Sequence, residues 1–251
     1  MNHKQVIVIA SMIIVGFAVL VTGGNLNPTS APAPTMKTLD QVEARIPIAG
    51  NPYGASVYQI TQPGSYYLTG DRLAAPGEYG IQITASNVTV DLNGYTLREM
   101  SSASGRSGIY IDGADNVEIR NGTIRDFPEA GITSSGDQIR IYNLRILNNG
   151  LSGINMSGDN NQVCGCTVSG NGATGIYAYN NSRVCDNTCS GNVGAGIFAR
   201  YGSVVSGNSC YENQDYGIST RDSLVIGNSG YGNTLGNLYP DTDSTFINNK
   251  P

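Results

Sequence analysis

From residue 80 onward the apolar positions recur in short bursts, and most bursts open with the same pair of residues. A glycine followed by an aliphatic residue appears at Gly80-Ile81, Gly108-Ile109, Gly131-Ile132, Gly153-Ile154, Gly175-Ile176, Gly196-Ile197 and Gly217-Ile218, and the series ends at Asn237-Leu238. The intervals are 28, 23, 22, 22, 21, 21 and 20 residues. Such a period marks a stacked supersecondary unit. Three strands of about four or five residues and three turns fill it, which predicts one coil of a parallel β-helix per repeat. The 28-residue interval holds the stretch "EMSSASGRS", a looped-out turn. Leucine-rich repeats need more leucines, calcium-binding nonapeptides need G-G-x-G-x-D, and hexapeptide helices need a period near ~18.

Aligned on this period, the residues form columns. Ile119, Ile141, Val163, Val184, Val205 and Val225 are all aliphatic; Ile124, Ile146 and Val168 continue into Cys189 and Cys210; the Gly-Ile aliphatics form a third column. These three columns are the expected core, one for each sheet. Between the first two runs a further column, Leu144, Cys166, Asn187, Asn208 and Asn228, reads as an internal ladder of stacked amides. Asn192 and its neighbouring glycines read as a turn.

The 16-residue, largely apolar stretch from 6 to 21 follows Lys4 and suits a secretory hydrophobic region better than the ~20 needed to span a bilayer. Residues 1–24 are therefore read as a signal peptide or an uncleaved membrane anchor, and 25–37 as a Pro/Ser/Thr linker. Either way the body is expected to be secreted or at the cell surface. "TLDQVEAR" predicts a short capping helix over 38–45, with Thr38 and Gln41 as a capping box, Leu39, Val42 and Ile46 on one side, and Pro47 as the stop. "VYQITQPGSYYLTG" predicts strands around a Pro-Gly turn, so that 38–79 is an N-terminal cap with lead-in strands and 80–251 the solenoid. The 33 glycines, 13% charged residues and absence of tryptophan agree with a turn-rich, all-β chain.

The stretches "ITQPGSYYLTGD", "ASNVTVDLNGYTL" and "NVEIRNGTIRDF" resemble the recurrent opening of exported right-handed parallel β-helix repeat proteins of the pectin-lyase-like superfamily. The resemblance covers roughly residues 40–251 and implies a single-stranded right-handed parallel β-helix. It implies no single activity, because the group includes polysaccharide lyases, glycoside hydrolases and surface proteins. The hydrolase members carry a histidine motif, whereas the one histidine here is His3; the lyase members' Trp/His segment requires the tryptophan this chain lacks. Neither activity carries over by motif.

The formal charge of −5 and the lack of any run of Lys or Arg argue against nucleic acid, and a polyanion would need a bridging cation. Two readings of function follow. One is a secreted or surface module that binds a polysaccharide or cell-envelope glycan or serves as a rigid structural rod. The other is a polysaccharide lyase or glycoside hydrolase acting on a cell-wall or extracellular polysaccharide. For either, Tyr110, Tyr177 and Phe198, with Tyr239, share the outward position after Gly-Ile, and Tyr211 shares another with Tyr231; flat rings in a row can stack on sugars. Cross-strand aromatic pairs also stabilise sheets without any ligand.

Asp91 and Glu118 immediately precede Leu92 and Ile119, and Arg140 occupies that position one coil on. The expected column Asp91, Glu118, Arg140 would set two carboxylates side by side for acid–base chemistry, or form a surface charge ladder. Asp115, Asp137 and Asp159 fall in one turn column, which suits either Ca²⁺ or turn residues bonded to their own backbone. Of five cysteines, Cys164 stacks on Cys185 in an outward column, a candidate disulfide, while Cys189 and Cys210 face inward. The last coil, through "STFINN", presents an open parallel edge, which predicts end-to-end self-association.

Overall fold

Each repeat closes into a rung of three strands, and the rung that opens at Gly175 shows how. Ile176–Ala178, Arg183–Cys185 and Thr188–Ser190 follow one another with a corner after each, and each pairs in parallel with its equivalent in the rungs before and after. The computed structural model describes residues 44–55, 57–99, 105–239 and 241–250. The expected signal segment, the linker and residues 38–43 of the expected helix lie outside the described residues. Ala44 and Arg45 are not helical, and Ile46, placed on one side of that helix by the sequence reading, instead begins the strand Ile46–Ile48. That strand pairs in parallel with Tyr66–Leu68, so Ile46 and Pro47 are held extended by a neighbouring strand.

Two sheets result. A nine-stranded sheet runs from Tyr58–Ile60 to Gly236–Leu238 and contains every Gly-Ile strand. A 17-stranded sheet contains the other two ladders, fused because Val117–Arg125 and Arg140–Leu147 run unbroken through the corner between them. The expected strands at 57–70 are Tyr58–Ile60 and Gly64–Leu68, which belong to different sheets, so Pro63 lies at a corner of the coil. The parallel ladders reach back through Asn51–Ala55 to Ile46.

The three aliphatic columns meet on the axis. Ile119, Ile141, Val163, Val184, Val205 and Val225 stack in register and are fully buried, as are Ile124, Ile146, Val168, Cys189 and Cys210 and the strand-opening isoleucines of the nine-stranded sheet. Period-two alternation selects these faces, since one residue in each three-residue strand points out for every two that point in, or the reverse. Gly196 shows why a small residue opens the strand: a Cβ there would stand 2.6 Å from the carbonyl oxygen of Gly217 on the next rung.

The corners follow one rule. A residue with left-handed backbone comes first and a buried residue second, apolar at corners such as Gln138-Ile139, Asn143-Leu144 and Gly165-Cys166 and polar at most corners further along the chain. Asn148, Gly170, Gly191, Glu212 and Gly232, all with φ between 54° and 67°, precede Asn149, Asn171, Asn192, Asn213 and Asn233. Asp186, Gly207 and Gly227 likewise precede Asn187, Asn208 and Asn228, and Asn181, Gly202 and Asp222 precede Ser182, Ser203 and Ser223. Asparagine, aspartate and glycine tolerate this conformation best, which explains their abundance.

The buried asparagines form two ladders. Asn187 donates its backbone N–H and its Nδ2 to Oδ1 of Asn208, at 2.9 and 3.0 Å, and Asn208 does the same to Asn228. In the second ladder Asn171 donates to Asn192 and Asn192 to Asn213 in the same way. Asn192, read from the sequence as a simple turn residue, is thus a fully buried rung of that second ladder. Its side chain satisfies backbone groups that no strand reaches.

One buried carboxyl carries a pH signature. Glu99, 3% exposed, accepts from the Gly77 N–H through Oε1, while its Oε2 has no partner among the described residues. Burial raises its pKa above the ordinary 4.5, against a smaller opposing effect of the Gly77 bond. A carboxyl raised on folding contributes stability that is fully present below its unfolded pKa and is lost as pH rises through the folded one. Glu99→Gln should therefore raise the melting temperature at pH 7, and the gain should vanish below about pH 4. Melting curves across pH check this; a gain independent of pH would show that ionisation is not the cause.

Candidate functional site

The outward column of the nine-stranded sheet reads, in register, Gln82, Tyr110, Thr133, Asn155, Tyr177, Phe198 and Ser219, with Tyr239 directly after the last strand. Aromatic and hydroxyl or amide side chains alternate in blocks along it. Tyr110 stacks on Tyr79 with centroids 4.8 Å apart, Tyr177 on Phe198 at 5.2 Å, and Tyr239 meets Tyr216 edge-on at 5.1 Å. The Arg106 guanidinium lies over the Tyr79 ring and donates to its hydroxyl, which fixes the first pair.

Two depressions lie along this column. One, of about 350 Å³, is bounded by Ser107, Glu129, Thr133, Leu151 and Asn155 and reaches Ala173. The other, of about 280 Å³, begins at Thr174 and continues past Phe198 and Ser219 to Tyr239, with Asp215 and Arg221 at its side. They lie end to end along the column, meeting at the neighbouring residues Ala173 and Thr174 with Tyr177 on the rung between them, and we call this pair of depressions the groove. Ser107 Oγ contacts Thr133 Oγ1 at 2.9 Å and donates to Glu129 Oε2 at 3.3 Å, a polar network at one lip.

Of the residues expected to bind sugars, the structure places Tyr110, Tyr177 and Phe198 in this outward column, where Phe198 lines the second depression, Tyr177 stands between the two and Tyr110 lies one rung before Thr133. Tyr211 and Tyr231 stack on each other at 5.4 Å but on the 17-stranded sheet, away from it. Tyr79 and Tyr216 were missed by the sequence reading because each immediately precedes the Gly-Ile pair, Tyr79 ahead of its strand and Tyr216 as the first residue of Tyr216–Thr220, outside the repeating column.

The expected catalytic column requires correction. Glu118 does pair with Arg140, but Thr89, not Asp91, stands beneath Glu118, and Asp91 pairs with Arg120. The register is set by Val90 stacking on Ile119; Leu92, taken from the sequence as that partner, fills the corner beneath Gly122. Both Val90 and Leu92 are buried, so a two-residue slip leaves the facing pattern unchanged and alternation cannot detect it. Arg120 therefore stands between the carboxylates, with Nε 3.2 Å from Asp91 Oδ2 and a terminal nitrogen 2.9 Å from Glu118 Oε1. Arg140 reaches Glu118 at 3.4 Å and Arg45 reaches Asp91 at 3.8 Å. The repulsion between stacked carboxylates is replaced by alternating charge. At this exposure each pair is worth at most ~1 kcal/mol.

Asp115, Asp137 and Asp159 do share a corner column, and there they act on the backbone. Asp115 Oδ1 accepts from the N–H of Asp137 at 2.9 Å, and Asp137 Oδ1 from that of Asp159 at 2.7 Å. Among the described residues no group of three His, Cys, Asp or Glu side chains is placed to hold a metal ion. Cys164 and Cys185 are joined by a disulfide between adjacent rungs, with Cα atoms 4.6 Å apart. Cys166, Cys189 and Cys210 are free and buried, and burial pushes the Cys166 thiol up to about 11, which makes it a poor nucleophile.

The chain matches the family described as "Right handed beta helix region" over residues 59–204 and 107–250. It belongs to that family, and its fold is the right-handed parallel β-helix. No curated relative matches the chain by sequence. Among solved structures, the mannuronan C-5 epimerase A-module of Azotobacter vinelandii superposes with a TM-score of 0.63 at 14% identity, covering 74% of this chain and 68% of that one. A periplasmic alginate epimerase gives 0.63 at 17% identity, covering 75% and 50%, and the Dettilon tailspike protein gives 0.60 at 14%, covering 82% and 54%. The chain spans about half the length of the last two. At these identities the likeness is one of fold.

Proposed function

We propose that this protein is a glycan-binding β-helix module whose ligand, a linear polysaccharide, lies along the groove of the nine-stranded sheet. The observation that carries the reading is the stacked Tyr177–Phe198 pair at the junction of the two depressions, with Thr133 and Asn155 on one side and Ser219 on the other. Stacked rings offer flat apolar faces to sugar rings, while the hydroxyl and amide groups between them suit sugar hydroxyls. Two fold neighbours, an alginate epimerase and a mannuronan C-5 epimerase, support a polysaccharide as the class of ligand. A periplasmic neighbour and a tailspike support a location outside the cytoplasm.

Binding is favoured over hydrolysis by the spacing of the carboxylates that line the groove. Glu129 and Asp215 lie four rungs apart, about 19 Å at strand spacing, whereas paired glycosidase carboxylates stand at most about 9.5 Å apart. The double variant Tyr177→Ala/Phe198→Ala should lose at least about tenfold in affinity for whichever polysaccharide the native protein still retains at high salt from a panel of neutral and acidic polymers, with only the small fall in melting temperature that loss of one cross-strand aromatic pair brings. Affinity electrophoresis checks this. Unaltered retention would remove the groove as the site, and release of reducing or unsaturated ends by the native protein would favour the lyase or hydrolase reading.

A further inference from the structure

Fourteen Lys and Arg residues are scattered along the sequence, yet six arginines converge on a few rungs of the 17-stranded sheet. Arg98, Arg120, Arg125, Arg140, Arg145 and Arg183 all point outward from its strands. The carboxylates among them are Asp91 and Glu118 on the strands, Asp71 accepting from the Thr96 N–H, and Asp126 and Asp186 at the corners. This face is thus net positive in a chain whose formal charge is −5.

Ion pairing divides the six. Arg120 and Arg140 are held by Asp91 and Glu118, and Arg125 by Asp126 at 3.2 Å. Arg98, Arg145 and Arg183 are exposed and have no carboxylate partner among the described residues. Arg145 is nevertheless aimed, since its Nε donates to Thr123 Oγ1 at 3.0 Å. Arg98 pairs directly with Arg125 in the register. Like charges in directly opposed positions destabilise a sheet, and an anion placed between them would relieve that cost. Arg140, Gln162 and Arg183 form one column, two rungs separating its arginines, and across the corner Thr96, Thr123, Arg145, Thr167 and Thr188 form another, so cationic groups stand on both ladders of the sheet among hydroxyls and amides.

We propose that these arginine rows form a second binding face, separate from the groove, for a linear anionic glycan whose carboxylate or sulfate groups recur along the solenoid axis. From Arg98 to Arg183 the face extends over four rung intervals, about 19 Å. Guanidinium groups bind carboxylate and sulfate in fork geometry, and the neighbouring threonines and Gln162 suit sugar hydroxyls. Among the described residues the stacked pair Tyr211–Tyr231 lies beyond Arg183, and the strands between Arg98 and Arg183 carry one ring, Tyr142, whose hydroxyl donates to Gln162, so the face has no row of ring platforms of the kind single-stranded nucleic acid uses. The proposal does not rest on the groove reading.

The test uses polygalacturonate for the carboxylate, dextran sulfate for the sulfate and plain dextran as the neutral control. The native protein should bind at least one charged polymer well above dextran. Arg98→Ala/Arg145→Ala/Arg183→Ala should weaken that binding by at least about tenfold, while Tyr177→Ala/Phe198→Ala leaves it unchanged. Raising salt from about 0.01 to about 1 M, which shortens the screening length from about 30 to about 3 Å, should abolish it in the native protein; this measurement needs no variant to fold. Equal retention of dextran, salt-resistant binding, or an unaffected triple variant would overturn the proposal. So would an equal loss in the groove variant, which would place the polyanion there, or tighter binding of a single-stranded oligonucleotide, which would reject the ligand class.

Discussion

Replacing Asn208 by leucine should cost about 4 kcal/mol of folding stability, seen as a fall of roughly 10 °C in melting temperature. The side chain is 1% exposed and serves both neighbouring rungs. Its Oδ1 accepts from the backbone N–H and Nδ2 of Asn187, and its Nδ2 donates to Val184 O, Ser206 O and Asn228 Oδ1. Leucine is of similar size, so the loss is not one of volume. It leaves the Asn187 donors and the Val184 carbonyl buried without partners, each at about 1–3 kcal/mol before relaxation. Asn160→Gly is the control, because Asn160 is exposed and its φ of 58° suits glycine at least as well. Equal melting temperatures for the two variants would show that the amide ladder contributes nothing.

A comparable loss, about 3 kcal/mol, is expected from Gly196→Ala, whereas Gly191→Asn should change stability by less than about 1 kcal/mol. The two glycines lie five residues apart and serve different ends. Gly196 provides space: an added Cβ would meet Gly217 O at 2.6 Å and Asn213 Nδ2 at 2.8 Å, both of them fixed parts of the next rung. The rungs would have to separate there, and the strands on either side would lose hydrogen-bond length together. Gly191 provides handedness: its φ is 60° and nothing lies within 4 Å of its absent Cβ. Asn148 fills the equivalent corner two rungs earlier at φ 54°. Chemical denaturation of both variants distinguishes the roles, and a larger loss in Gly191→Asn would reverse them.

Each glycan proposal makes a separate demand on the molecule. The groove depends on rings stacked across adjacent rungs, and its ligand should be retained at high salt. The arginine face depends on charge, and its ligand should be released. A polymer that meets both conditions in one variant series would have to touch two sheets.

The repeat period, the three apolar columns and one asparagine ladder were legible in the sequence because they are properties of a single repeat compared with the next. Period-two alternation states which residues of a strand face in, and a period of about 21 states which ones stack. The outward positions of Tyr110, Tyr177 and Phe198 follow from the same two periods. What alternation does not carry is a slip of two residues, and that is where the sequence reading failed: Asp91 was stacked on Glu118 through Leu92, whereas Val90 takes that place and Arg120 comes between the carboxylates. Asn192 was misread for a related reason, since a left-handed residue beside an asparagine has the composition of an exposed turn until the next rung covers it. The gathering of Arg98, Arg145 and Arg183 on one sheet was invisible as well, because they are 47 and 38 residues apart along the chain. The sequence by itself determined the coil, since each rung repeats the same local instruction. Only the tertiary structure decided which charges and rings became neighbours, because adjacency between rungs depends on register, and register is set by packing along the whole stack.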